Sequence, residues 1–282
     1  MILIFLMYAL IASTFTISKA VLDYTSPLFF ISFRMIVAGL ILLSYHFYKN
    51  KKINIEAKDI APYLLLSLIY IYIPYLFELW AMKTITSARA ALIYNLTPFF
   101  TAVFAYYSLR EKLNIKKVAG LLVGFLAYVP LFSECLKCNY WYLISAQDLA
   151  LLVATACGAY SWIAIKQFMN KGKSIIEING VAMLTGGVMA LASALMFKPS
   201  AIYVENWPSF IWLVTLVILI GNIISYNLYG MLLRKYNTTF LSFCGFTTPL
   251  FAAAYQWAIW GETISWHFAV ALIGVTIGLY LF

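Results

Sequence analysis

LTPFFTAVFAYYSLREKLNIKKVAG, from Leu96 to Gly120, returns as TTPLFAAAYQWAIWGETISWHFAVA, from Thr247 to Ala271, and the second stretch overlays the first without a gap. Pro98 meets Pro249, Glu111 meets Glu262, Gly120 meets Ala271 and, further on, Ala127 meets Gly278, all at an offset of 151. Carried toward the N-terminus, the same offset pairs Tyr75 with Tyr226 and Lys83 with Arg234. Matched prolines, carboxylates, small residues and tyrosines at one spacing read as an internal duplication. Each copy holds five apolar segments of membrane length. Five is odd, so the copies cross the bilayer in opposite senses, the arrangement in which inverted repeats enclose a solute site near the membrane midplane.

Composition sets the same frame. The chain has 282 residues, 64% of them hydrophobic and 10% charged, with a mean hydropathy of +0.90. No single soluble domain has an interior large enough for that apolar surface, so this is an integral membrane protein. A spanning helix needs about 20 apolar residues. The charge-free runs have that scale: Met1–Ser18, Ala61–Phe77, Ala90–Leu109, Val118–Ser133, Leu149–Ile165, Ile178–Phe197, Asn206–Leu233, Tyr236–Gly261 and Thr263–Phe282. Leu28–Tyr48 makes a tenth, interrupted only by Arg34. The runs are apolar on every side rather than alternating, which excludes a β-barrel. The expected fold is an all-α membrane protein of ten transmembrane helices, arranged as two inverted five-helix repeats over residues 1–133 and 148–282. Residues 134–147 form an external connection between them. Met1–Ser18 lacks a basic leader and a small-residue cleavage site, so it reads as the first spanning helix and not as a removed signal peptide.

Charge fixes an expected orientation. Alternate loops carry Lys49, Lys51, Lys52, Lys58, Arg110, Lys112, Lys116, Lys117, Lys166, Lys171, Lys173, Arg234 and Lys235; the opposite side carries Lys19, Lys83, Arg89, Lys137 and Lys198. By the positive-inside rule both termini are cytoplasmic, in a multi-pass protein of the inner (plasma) membrane. The net charge of +9 belongs to these loops facing the lipid bilayer, and nucleic acid is not expected as a partner.

The stretches SPLFFISFRMIVAG (26–39) and TSARAALIYNLTPFFTAVFAY (86–106), the REK turn at Arg110–Lys112, and the TTP and WGE stretches of the second half resemble the drug/metabolite transporter superfamily, and within it the ten-helix EamA group. The resemblance covers essentially the whole chain and is specific for fold, not for substrate. It implies a proton-coupled or exchange-type carrier, commonly of amino acids or related metabolites, with a central cavity between the halves. One departure stands out: Phe240 and Phe246 replace the first half's Arg89 and Asn95, so any polar site is asymmetric.

Ionisable groups within a membrane point to function. Arg34 lies about 10 Å, and Glu78 about 6 Å, from the outer ends of their helices at 1.5 Å per residue. Lys19 and Arg89 lie near the outer ends of theirs, where their long stems can also snorkel. Glu78, the one carboxylate clearly inside a span, is the candidate for proton coupling or for holding a substrate ammonium, and Arg34 is its expected ion-pair partner. Ile71, Tyr75, Glu78 and Met82 share one expected helical face; Asn222, Tyr226, Tyr229 and Leu233 share its counterpart. Tyr94 and Asn95 precede Pro98, and Thr248 precedes Pro249. Each proline frees a carbonyl one turn back and marks a hinge. Glu111 and Glu262 are read as caps for the helices that follow them.

Several features admit two readings. Gly120 with Gly124 and Gly274 with Gly278 form GxxxG pairs, which serve packing inside one chain or the seam of a homodimer. Cys135 and Cys138 either close a small external disulfide or do nothing; no second CxxC completes a zinc site. His46 and His267 have no metal-ligand spacing, and no GxSxG, HExxH or P-loop occurs, so neither an enzyme nor a cofactor is expected. The expected function is secondary active transport of a small polar solute by alternating access, first an amino acid or related zwitterion or anion. The alternative is a carrier or exchanger of a nucleoside-type metabolite such as S-adenosylmethionine or a nucleotide. A polytopic enzyme or a non-transporting assembly partner is the remote third.

Overall fold

The computed structural model describes residues 1–52, 55–81, 90, 93–112, 114–130, 145–197, 199–260 and 266–281. Helix α1 spans Ile2–Val21 and α2 spans Pro27–Asn50. α3 (Ala57–Ser67) runs through a π-helical turn (Leu68–Tyr72) into α4 (Ile73–Ala81). α5 (Thr97–Leu109) and α6 (Ile115–Leu126) complete the first half. The second half repeats the order with α7 (Ala146–Asn170) and α8 (Ile175–Phe197), then α9 (Trp207–Val217), a π segment (Ile218–Ser225) and α10 (Tyr226–Leu233). α11 (Thr238–Cys244), a 3₁₀ turn (Gly245–Thr247), α12 (Thr248–Trp260) and α13 (Trp266–Leu281) end it. The described residues contain no strand, only an isolated bridge between Thr25 and Val204. Among the described residues six helices, counting two that continue through π turns, are long and apolar enough to cross a bilayer.

Local chemistry sets the helix ends. Ser26 accepts from the Phe29 N–H at 3.3 Å, and Pro27, with its φ already helical, opens α2. Ser145 and Asp148 form a reciprocal capping box at the start of α7. Asn114 caps α6 through the Lys117 N–H. The two π turns fall at equivalent places, since adding 151 to Leu68–Tyr72 lands on Leu219–Ile223. The fourth and ninth expected spans are each broken before their proline, at Asn95–Leu96 and at Gly245–Thr247. The Tyr94 and Cys244 carbonyls beside these breaks accept hydroxyls, from Thr97 at 2.5 Å and from Thr247 at 2.7 Å.

The halves interlock. α4 and α5 of the first half pack on α7, the opening helix of the second; the π segment, α11 and α12 of the second pack on α1. The repeat mates α2 and α8 meet almost backbone to backbone. A Cβ on Gly39 would lie 2.5 Å from the Leu184 nitrogen, and one on Gly187 would lie 2.9 Å from the Ile36 nitrogen. α6 and α13 are also mates, and the GxxxG residues pack there: a Cβ on Gly278 would reach the Gly120 carbonyl at 2.9 Å. That seam is occupied inside one chain. Lys166, expected in a loop, lies within α7 instead, because the capping box starts that helix early and it runs on to Asn170.

Candidate functional site

The internal symmetry locates the centre of the molecule. The Tyr75 and Tyr226 hydroxyls are 3.0 Å apart, and these residues are repeat equivalents. Equivalent atoms in contact lie on the axis relating the copies, as do Ile36 and Gly187. Cβ bonds tilt toward a helix's N-terminus, so each tyrosine leans back along its own helix to the point where the hydroxyls meet.

Arg34 joins this contact. Its Nη2 donates to the Tyr75 hydroxyl at 2.7 Å, and its guanidinium carbon lies 5.2 Å from the Phe30 ring centroid and 5.3 Å from that of Tyr75. Arg34 is 8% exposed, and its Nε–H has no partner among the described residues. The expected ion pair with Glu78 is not formed; Tyr75, one turn before Glu78, takes the guanidinium hydrogen bond instead. Glu78 is partly accessible, feels the Arg34 charge through space and interacts with the Tyr94 hydroxyl. Tyr94 also lies within electrostatic range of Tyr75 and Tyr226, so Arg34, Tyr75, Tyr226, Tyr94 and Glu78 form one cluster.

An aromatic wall continues it. Tyr70 packs 5.3 Å from Trp162 and 5.8 Å from Tyr226; Trp162 stacks on Tyr229 at 3.9 Å, and Tyr8 meets Tyr229 edge-on at 6.4 Å. Tyr70 and Trp162 are absent from the sequence-derived set. The π turn explains the first: where hydrogen bonds run i to i+5, residues five apart share a face, so Tyr70 joins Tyr75 and Ile71 turns away against Gly186. The same distortion displaces Asn222, which is 1% exposed and donates to the Met35 sulfur at 3.2 Å, in packing rather than in the cluster.

The remaining candidates divide. Asn95 is buried beside Tyr94, and its Nδ2 has no partner among the described residues. Lys19 is exposed in the last turn of α1, the position of a cation at a helix C-terminus. Pro98 and Pro249 sit in the first turns of α5 and α12, just past the breaks. Arg89, Met82, Glu262, Cys135 and Cys138 lie outside the described residues.

Two fastenings join the halves at opposite ends of the bundle. At one end Thr25 Oγ1 donates to the Tyr203 carbonyl at 2.5 Å, and the Glu205 N–H donates to the Tyr24 carbonyl at 2.9 Å. At the other end Glu111 caps not the next helix, which Asn114 serves, but α11 of the opposite half. Its carboxylate accepts from the Thr238 N–H at 2.9 Å, the Thr239 N–H at 3.2 Å and the Thr239 hydroxyl at 3.0 Å. Lys166 Nζ lies 3.2 Å from Glu111 and also donates to the Tyr236 carbonyl and the Thr238 hydroxyl, each at 3.3 Å. Burial pushes the Glu111 carboxyl upward, but the two backbone donors and the lysine outweigh it and hold the group below its ordinary range.

Comparison with known proteins gives this geometry a setting. The EamA-like transporter family model matches residues 1–133 and 146–282, one range in each half. An S-adenosylmethionine/S-adenosylhomocysteine transporter of Chlamydia muridarum (strain MoPn / Nigg) is 33% identical over 267 residues, covering 93% of this chain and 84% of the relative. One of the same name from Chlamydia trachomatis serovar D is 32% identical over 93% of this chain and 82% of the relative. An uncharacterized transporter, YoaV, of Bacillus subtilis (strain 168) is 24% identical over 90% of this chain and 86% of its own length. A solved crystal structure with 16% identity superposes with a TM-score of 0.81, covering 99% of this chain and 94% of that one, which shows the shared fold.

Proposed function

We propose that this chain, which belongs to the EamA-like transporter family, carries an adenosyl-bearing sulfur amino acid of the S-adenosylmethionine and S-adenosylhomocysteine class. The chain is a multi-pass membrane transporter of a small solute and not an enzyme. Within that class a simple amino acid was the first expectation; the relatives at 32–33% identity favour the nucleoside-type alternative.

The observation that supports this reading is the composition of the axial strip. Arg34 and Glu78 suit the two ends of an α-amino acid: the guanidinium, with an uncommitted Nε–H, for the carboxylate, and Glu78 for the ammonium. A solute with only those groups leaves the adjoining wall of Tyr70, Trp162 and Tyr226 unused. An adenine ring stacks on such faces, and a sulfonium cation is attracted to tyrosine rings as other onium groups are. On this reading Glu78 holds substrate, with exchange or proton coupling acting through the same strip, and the breaks before Pro98 and Pro249 are the hinges.

Equilibrium binding to the purified protein tests the assignment. Labelled S-adenosylmethionine binds and is displaced by S-adenosylhomocysteine. Trp162→Ala weakens binding of both by about tenfold, the loss of one stacked face. Displacement by leucine at equal concentration contradicts the reading, as does undiminished binding to Trp162→Ala.

A further inference from the structure

We infer that the short helix α11 is the gate at the Glu111 end of the carrier, and that Glu111, from the opposite half, is the latch that holds it shut. The inference rests on the carrier reading above, in which the break before Pro249 is a hinge.

Helix α11 has the position of a plug. It packs on α1 and α5 of the first half and on α7 and α10 of its own. All of its residues except Phe240 are buried. Its C-terminal end meets the aromatic wall. Tyr8, edge-on to Tyr229, donates its hydroxyl to the Leu241 carbonyl at 2.5 Å, and a Cβ on Gly245 would lie 3.4 Å from the Tyr8 ring. Its N-terminal end is the Thr238–Thr239 pair that Glu111 holds. α11 therefore fills the bundle between the proposed solute strip and the Glu111 end.

The helix does not hold itself there. At seven residues it is too short to be stable alone, and the 3₁₀ turn at Gly245–Thr247 separates it from α12. Its own N-cap residue, Asn237, makes no side-chain capping bond, so the leading N–H groups depend on Glu111 for their acceptor. Deeper in, the Thr101 hydroxyl of α5 donates to the Ser242 hydroxyl of α11 at 3.0 Å. Glu111 and Thr101 belong to the first half and α11 to the second. These bonds must part if the halves separate at this end.

The latch belongs to one end of the molecule. At the offset of 151, Glu262 keeps the carboxylate, but Lys166 answers to Phe15, Thr239 to Ala88, Ser242 to Ala91 and Thr101 to Ala252. The fastening described at the opposite end is one hydroxyl bond and one backbone bond, without a charged side chain. The difference biases the empty carrier toward being shut at the Glu111 end. Trp162 precedes Lys166 by one turn on the same face of α7, so a solute stacked on Trp162 sits one turn from the latch.

Cys244, buried in α11, reports on the gate. The test uses the full chain in nanodiscs with Cys135, Cys138 and Cys157 replaced by serine. Glu111→Ala should raise the rate at which N-ethylmaleimide modifies Cys244 by about tenfold or more, the scale of hydrogen bonds to a charged group. Asn114→Ala removes the cap of α6, which does not cross between the halves, and should leave the rate unchanged. No rise in Glu111→Ala, or an equal rise in Asn114→Ala, overturns the gate. A covalent tie asks the same question without removing the latch. Thr101→Cys with Ser242→Cys, in a chain without native cysteines, is oxidised to a disulfide. The cross-linked protein should lose counterflow of S-adenosylmethionine and regain it on reduction; exchange by the cross-linked protein overturns the proposal. The labelling needs no solute, so failure of the substrate assignment leaves it standing and the two failures are distinguishable.

Discussion

Tyr75 and Tyr226 share one hydrogen bond on the symmetry axis, and Arg34 donates to the first of them. A double-mutant cycle between Arg34→Gln and Tyr75→Phe therefore gives a coupling energy of about 1–3 kcal/mol, the scale of a hydrogen bond to a charged group. The cycle between Arg34→Gln and Glu78→Gln lies closer to additivity in thermal unfolding. Equal coupling in the two cycles contradicts the geometry. Glu111 offers a second prediction. Its folded-state pKa is depressed, so its stabilising contribution is complete above the unfolded value of about 4.3 and falls away as pH drops through the folded value. Wild type should melt above Glu111→Gln at pH 7, with the gap closing below about pH 4; a gap that widens on acidification contradicts this. Arg34, Glu78, Tyr75 and Tyr226 were legible as residues because intramembrane charge and repeat matching both select them. Their partners were not, because a linear pattern does not show that a tyrosine reaches the arginine before the glutamate does.

At the scale of elements, the π turns decide which residues face the axis. Deleting Ile69 restores ordinary helical spacing and rotates Tyr70 relative to Tyr75 by about 100°, the angle per residue. Binding should then fall to background while the protein still inserts in the membrane, and retained binding contradicts the role given to the π turn. The α2–α8 joint makes a packing prediction. Gly187→Leu drives a side chain into the Ile36 backbone and should destabilise by about 1–3 kcal/mol or more, whereas Gly158→Ala, where an added Cβ meets nothing within 4 Å, should be tolerated. Thermal unfolding of the two variants checks the contrast. The apolar runs and the two prolines marked most helices correctly. The π turns are invisible to a period of 3.6 residues, which puts Ile71 and Asn222 on the axial face and leaves Tyr70 off it. A segment bounded by charge stops short at Lys166 and Glu177, although both helices run through these residues: Lys166 pairs with Glu111, and Glu177 accepts from the Tyr63 hydroxyl.

For the whole molecule, the duplication visible at one offset carries through to interlocked halves whose mates pack across the axis. The orientation proposed from the basic loops places the Glu111 end in the cytoplasm. A membrane-impermeant maleimide should then label Tyr203→Cys in intact cells, in a background without native cysteines, and reach Lys112→Cys only after permeabilisation; the reverse pattern inverts the topology. What the sequence could not rank was the solute, since Arg34 and Glu78 fit any zwitterion and the wall that favours a larger one depends on Tyr70 and Trp162 meeting in three dimensions. The most direct test of the account is counterflow in proteoliposomes loaded with unlabelled S-adenosylmethionine. External labelled S-adenosylmethionine should accumulate transiently, should do so equally when the internal solute is S-adenosylhomocysteine, and should fail in the Arg34→Gln protein. Accumulation of labelled leucine instead, or none of the labelled S-adenosylmethionine, would contradict the account.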